Sequence, residues 1–537
     1  MRLARHALLL PVALGLAFLF LYPMSLAVRA AASPDAWRWL AGPYATSRIE
    51  GGILQALLSL ALAFTLAVPL ALLHHRWRIP GSRALLAVHA AAFVLPVFVV
   101  VGGLRETLGA DGWLDRLTGI DLLDTIGPWG SVALANATYN AGLAALLLHT
   151  ALERRPRRLE DAAATLGAPP AQRWRRVTWP LLRPAVLATA LLVLLFCLAS
   201  FGVVVLLGEG RIDTLDTLIY ANLKGGFPRH DRAAVLALAQ VAVQAVLLAV
   251  VLRLERKAAR HATDAQPRER PSHVAATATA WVLVALSTLP LLAILTGAFQ
   301  VDGHWSLDAW RALAGGPGHL TGFDLGHALR LTLAYAAAAV TFALASTLLL
   351  GYAPRTRLTR AVEAVAFLPL GTSSVVLGFA LLLAFTGRPW LPLIGEPWGI
   401  VAAHTLIAFP FVARTVLPAL RSLPSRFDDA AATLGASLPA RIWRLHLPLL
   451  RGPLLAAAAF AAALSLGDYG ASLLLMTDDT RSLAVWIGRH GGPGSFDPVA
   501  RAQSTALAAI LLVLTLACLL TAATLRPRAR PSRPEAA

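Results

Sequence analysis

Apolar runs of about 20 residues recur along the whole of this 537-residue chain, and no other feature constrains its fold so tightly. At 1.5 Å of rise per residue, a helical run of that length crosses a hydrocarbon core of roughly 30 Å. One aqueous core has no room for so many: 57% of the residues are hydrophobic, 14% are charged and mean hydropathy is +0.65, outside the range of soluble domains. Inside lipid every backbone polar group must be paired within its own segment. Runs rich in Leu and Ala, in place of ten-residue alternations, exclude a β-barrel. The fold class is therefore all-α, a polytopic membrane protein in a lipid bilayer.

The runs predict about twelve transmembrane helices, at 7–30, 52–74, 84–104, 129–152, 184–208 and 232–254, then 273–298, 325–353, 361–386, 398–420, 453–476 and 499–525. The first follows Arg2 and Arg5 as a signal peptide does, with Ala30-Ala31-Ala32 in the place of a cleavage site, but it is too long for a signal core and reads as a span. Loops beginning at His74, Glu153, Arg253, Arg355 and Arg421 are basic, and those carrying Asp111 to Asp124 or Asp213, Asp216 and Asp231 are not. By the positive-inside rule the basic loops are cytoplasmic, and so are both termini, the basic tail Arg526 to Arg533 included. The net charge of +18 is thus accounted for without nucleic acid. Cys197 and Cys518 lie inside apolar runs, placed for neither a disulfide nor a metal site.

The chain is also a duplication. Asp161-Ala-Ala-Ala-Thr-Leu-Gly167 recurs letter for letter as Asp429 to Gly435, an offset of 268 residues (429 − 161). At the same offset Pro156 matches Pro424, Arg173 matches Arg441, and Pro180-Leu-Leu-Arg183 matches Pro448-Leu-Leu-Arg451. Each block follows the fourth span of its half. Residues 1–254 form a first transmembrane half, 255–272 a charged linker with Pro267 and Pro271, 273–525 a second half, and 526–537 a basic tail. Six spans per half give both copies one direction, a parallel repeat about an axis along the membrane normal.

Each repeated loop holds a short Ala-rich helix stopped by a Gly suited to left-handed backbone angles. Glu160, Asp161, Asp428 and Asp429 suit its N-terminus, and its small side chains allow close approach by another protein. An interfacial amphipathic segment has the same composition, but exact duplication at equivalent places favours a docking element used twice. The order of residues resembles the EAA signature of binding-protein-dependent ABC importer permeases. It fits as Asp161, Ala162, Ala163, Gly167, Val177 and Pro180, and again as Asp429, Ala430, Ala431, Gly435, Leu445, Leu447 and Pro448, with Asp for the usual Glu in both copies and Trp179 for the usual Leu in the first. The resemblance implies a bacterial inner-membrane permease whose loops dock on two copies of a cytoplasmic ABC ATPase, with cargo delivered by a periplasmic substrate-binding protein. The chain has no P-loop, since Lys224 and Lys257, its only lysines, lie in no Gly-rich turn. ATP and Mg are expected on the partner ATPase, and neither a catalytic residue nor a metal or cofactor site is expected here.

Within that family Phe196-Cys-Leu-Ala-Ser-Phe201, Asp231 to Leu238, and Leu464-Ser-Leu-Gly-Asp-Tyr-Gly470 with Asp478-Asp479 resemble the permeases for thiamine and thiamine pyrophosphate, which implies that small-molecule cargo. Ferric-iron permeases carry similar stretches, and an ion-coupled secondary transporter shares the span count; both stay as alternatives. Asp468, deep in a span, with Tyr469 and the matching Ser200 and Phe201, is a candidate lining of the substrate path. The competing assignment for Asp468 is a hydrogen-bonded stabiliser of a helix break between Gly467 and Gly470. Reporter fusions after Arg76, Arg173, Lys257, Arg357 and Arg441 are expected to report cytoplasm and those after Asp115, Asp216, Asp302 and Asp479 the outside; swapped signals at two adjacent loops would remove a span and break the six-plus-six repeat.

Overall fold

The computed structural model describes residues 7–224, 227–261, 271–316, 318, 322–387, 396–490 and 498–525. Arg2, Arg5, Pro267 and the whole basic tail lie outside the described residues. Among the described residues ten helices are long and apolar enough to cross a membrane: Leu9–Ala30, Pro43–Arg76, Leu122–Glu153, Pro170–Leu198, His230–Arg260, Val274–Gly297, Leu325–Tyr352, Pro397–Arg421, Pro439–Gly467 and Pro498–Thr524. Leu122–Glu153, the fourth of the predicted spans, begins its regular course at Pro128, after Gly127 at φ 65° interrupts it, close to the predicted start at 129.

Two of the predicted spans are not single helices. Residues 84–104 fold as Ser82–Ala91, a 3₁₀ turn at Ala92–Val94 and a second helix Val97–Leu108. Residues 361–386 fold as Arg357–Gly371 and Ser374–Phe385, bent by 111°. Pro96 and Pro369 sit at these bends, where a residue without an N–H cannot continue the ladder. Two further spans stop short. The runs 184–208 and 453–476 break at Ala199-Ser200 and at Asp468-Tyr469, and short helices Phe201–Leu207 and Gly470–Leu475 follow. Hydropathy counts apolar residues whether or not the backbone turns among them, so it merged each broken pair into one span. The four breaks fall at the third and fifth spans of both halves.

The halves are interleaved. Leu9, Val12, Leu16 and Phe20 of the first span share a core with Ala343, Leu350, Phe409 and Val412 of the second half, and Phe18 and Tyr22 pack on the Phe385 ring. Reciprocally, Ala280 and Val284 of the second half's first span pack with Ile79 and Leu85, and His89 Nδ1 lies 2.7 Å from Ser287 Oγ. The largest buried cluster lies between the halves, joining Phe98, Val204, Ile219 and Val235 to Val375, Phe379, Tyr469, Trp486 and Leu511. A buried polar link crosses the same interface: Ser373 Oγ donates to Asp216 Oδ1 at 2.6 Å and accepts from Val376 N–H at 3.1 Å. Asp216 was expected in an outward loop, yet it is fully buried. It belongs to Leu215–Lys224, a helix that folds back against His230–His261 in place of running through solvent.

Close approach fixes the interleaving. A Cβ on Gly103 would lie 2.3 Å from the carbonyl oxygen of Pro290 on the other half, whereas one on Gly15 would meet nothing within 4 Å. Gly103→Ala is expected to destabilise the purified permease by roughly 1–3 kcal/mol through overpacking. Gly15→Ala should gain the ~0.5–1 kcal/mol of helix propensity. Thermal unfolding in detergent compares the two, and equal melting temperatures would show that this contact does not hold the halves together.

Candidate functional site

The breaks in the two fifth spans bring the predicted path residues to one place. In the first half Ser200 leaves the helix at φ −83°, ψ 55°; in the second Asp468 is extended at φ −69°, ψ 124°. Each break frees backbone groups that lipid cannot satisfy, and local side chains take them up. Asp468 Oδ2 accepts from the Ser472 N–H at 3.0 Å and from Ser472 Oγ at 3.2 Å, capping Gly470–Leu475. Ser200 Oγ donates to the Cys197 carbonyl at 2.9 Å.

Each break is also held by a buried side chain of the fourth span in its own half. His404 Nε2 lies 3.3 Å from Asp468 Oδ2 and 3.0 Å from Ser472 Oγ, while its Nδ1 lies 2.7 Å from Ser465 Oγ. Asn136 Nδ2 donates to Ser200 Oγ and to Ser59 Oγ, both at 3.2 Å. Asn136 and His404, like Ser200 and Asp468, are related by the 268-residue offset, so the duplication extends to a polar pair inside the membrane. Sequence reasoning missed Asn136 and His404. The signal available was a hydrogen-bonding residue at the same repeat position in each fourth span.

The two breaks face one another. The Phe201 ring is 5.7 Å from that of Tyr469, which also meets Phe98 edge-on at 5.0 Å. Ser200, Phe201, Asp468 and Tyr469, together with Asn136, Tyr139, Asn140 and Phe196, line one cavity of about 230 Å³ between the halves. Tyr139 Oη and Asn140 Oδ1 are buried beside it with no hydrogen-bond partner among the described residues. The two assignments for Asp468 are therefore compatible, since one carboxylate both caps the broken helix and faces the cavity.

The duplicated loops form a second constellation, away from the first. Arg157–Thr165 and Ser425–Thr433 are nine-residue helices at the same offset. Gly167 at φ 81° and Gly435 at φ 77° end them. In both, the Gly N–H bonds back to Ala164 or Ala432 and the next N–H to Ala163 or Ala431, the paired bonds of a Schellman cap. The side chains of Asp161 and Asp429 are exposed and make no hydrogen bond among the described residues. Their neighbours hold the helices down instead. Glu160 accepts from Thr178 Oγ1 at 2.5 Å and pairs with Arg155 at 3.2 Å; Asp428 pairs with His446 at 3.0 Å and Arg441 at 3.4 Å. Thr178 and His446 end equivalent π-helical turns, Trp174–Thr178 and Ile442–His446, which lead through Pro180 and Pro448 into the fifth spans. The loops are thus tied rigidly to the helices whose far ends form the cavity. Ala162, Ala430 and the large apolar Leu166 and Leu434, 87% and 86% exposed, point away from the chain.

Comparison with known proteins agrees with this architecture. The profile of the family described as binding-protein-dependent transport system inner membrane component matches twice, over residues 39–260 and 339–531. Both matches leave out the first span of their half, the element that crosses to the other half. The thiamine transport system permease protein ThiP of Escherichia coli (strain K12) is 32% identical over 86% of this chain and 85% of its own length. Its namesake from Brucella abortus (strain 2308) is 29% identical over 98% and 96%. The probable ABC transporter permease protein y4fN of Sinorhizobium fredii (strain NBRC 101917 / NGR234) is 26% identical over 83% and 82%. With two exposed duplicated loops, a polar cavity between the halves and a double family match, the chain belongs to the binding-protein-dependent transport system inner membrane components, the permeases of ABC importers.

Proposed function

We propose that this permease imports thiamine or thiamine phosphates, taking the cargo from a periplasmic binding protein and drawing energy from two copies of a cytoplasmic ABC ATPase. The observation that carries the reading is the alignment with permeases named for thiamine transport along more than four-fifths of both chains. The chemistry of the cavity supports it. Thiamine carries a permanent positive charge on an aromatic ring. A carboxylate beside Tyr469 and Phe201 offers a cation both an opposite charge and ring faces. At about 230 Å³ the cavity is smaller than the ~300 Å³ at the low end of ligand pockets, so it widens before a two-ring cargo passes.

In this scheme ATP closes the ATPase dimer and draws the loop helices Arg157–Thr165 and Ser425–Thr433 toward each other. Their anchors, Glu160 with Thr178 and Asp428 with His446, pass the displacement to the fifth spans and so to the breaks at Ser200 and Asp468. Hydrolysis in the partner reverses it. The permease needs only differential contacts with the two ATPase states, with ATP and Mg bound by the partner and no cofactor on this chain.

Replacing Leu166 and Leu434 together by Glu places charge on the exposed faces without touching the anchors. The variant should reach the membrane normally, lose co-purification with the ATPase and lower uptake at least tenfold, an effect of about 1.4 kcal/mol or more. Retained association and uptake would overturn the docking assignment.

Cargo is tested in a strain that cannot make thiamine. Deletion of the permease should abolish growth on low external thiamine, and the intact gene should restore it. Asp468→Asn keeps an acceptor for Ser472 but removes the charge; it should lower thiamine uptake roughly tenfold and, by weakening the buried contact with His404, cost about 1–3 kcal/mol of stability in detergent, so uptake is compared at equal amounts of folded permease. Normal thiamine accumulation in the deletion strain, with lost iron uptake, would move the cargo to ferric iron and leave the permease assignment intact.

A further inference from the structure

The two docking loops share a sequence but not their surroundings. In the second half Arg441, 11% exposed, pairs with Asp428, and His446 lies between Asp428 and the stacked Tyr352 ring. In the first half the acid Glu160 is already held by Arg155 and Thr178. Arg173, the equivalent of Arg441, has no ion pair among the described residues; its Nε, like that of Arg441, is buried without an acceptor. A cavity of about 400 Å³ lies beside it, lined by His75, Arg76, Arg155, Glu160, Arg173 and Trp174 among others. Three guanidinium groups against one carboxylate leave the cavity strongly positive.

Its position says what kind of anion fits. The cavity lies at the end of Pro43–Arg76 and the start of Pro170–Leu198, where the chain leaves the membrane. Trp174, 47% exposed, is a residue of the interfacial belt, and Leu72, 43% exposed on the same wall, faces acyl chains. Basic pockets between helices at this level hold lipid headgroups. We propose that the cavity beside Arg173 binds the phosphate of an anionic phospholipid, with Arg173 and Arg76 as its charged contacts and the acyl chains running along Leu72. In the second loop the equivalent Arg441 is already paired with Asp428. The first docking loop is therefore anchored to the bilayer as well as to its own chain, and the ATPase that sits on it senses membrane charge through one half only.

The test uses the assembled importer, permease with ATPase and binding protein, in nanodiscs of phosphatidylcholine with and without phosphatidylglycerol. Native mass spectrometry reads the phosphatidylglycerol retained, and binding-protein-stimulated ATP hydrolysis is measured in parallel. Arg173→Gln should weaken retention about fivefold, the loss of one arginine near an anionic headgroup, and blunt the response of hydrolysis to phosphatidylglycerol. Arg76→Gln, on a different helix, should act in the same direction, so that a folding defect in one variant does not decide the matter. Arg176→Gln removes the same charge from an exposed place on the same segment, outside the cavity, and should leave retention unchanged. Inorganic phosphate at matched concentration should not displace the lipid. Equal loss in the Arg173 and Arg176 variants, no preference for phosphatidylglycerol over phosphatidylcholine, or full displacement by inorganic phosphate would each overturn the proposal.

Discussion

The structure depends on how hydrogen bonds are satisfied where a membrane helix stops before reaching the far side. In hydrocarbon an unpaired backbone group costs several kcal/mol. A break in a span therefore survives only if side chains or neighbouring helices replace the missing ladder. Asp468, Ser472 and His404 do this in one half, and Ser200 with Asn136 does it in the other. The polar groups that make the breaks tolerable are also those that give the interior a hydrophilic cavity. Cavity and helix break are one feature, which is why Asp468 both accepts from Ser472 and lines the cavity.

The duplication sets what is shared and leaves room for what differs. Both halves repeat the docking helix, the left-handed Gly cap, the π-helical turn and the broken fifth span. A displacement at either loop therefore has the same mechanical route to the cavity. The pairings within that frame have diverged: His404 with Asp468 stands opposite Asn136 with Ser200, and His446 with Asp428 opposite Thr178 with Glu160. At the fifth-span break the second half has a carboxylate beside an imidazole where the first has a hydroxyl beside an amide, so the cavity is asymmetric although it lies between repeated halves.

Interleaving of the first spans makes the two halves one unit. Leu9 to Phe20 complete a core of the second half, and Ala280 and Val284 complete one of the first. Neither half can bury its own apolar faces alone. The interleaved first spans therefore tie the halves together around the central interface, where Phe98, Tyr469 and Phe201 meet.

The sequence by itself determined the membrane class, the all-α fold, the twofold repeat and the duplicated loop helices, because these follow from local quantities: run length, hydropathy, and identical residues at a fixed offset. It also pointed to Ser200, Phe201, Asp468 and Tyr469, since an acid deep in an apolar run is conspicuous on cost alone. Hydropathy could not tell a continuous span from one that breaks and resumes, so residues 84–104, 184–208, 361–386 and 453–476 read as four helices. Nor did it show that Asp216 is buried, that Glu160 and Asp428 rather than Asp161 and Asp429 hold the docking helices down, or that His404 reaches Asp468. Each of these depends on a partner far along the chain. Distance in space between such residues is set by how the helices cross, and only the tertiary structure decides that.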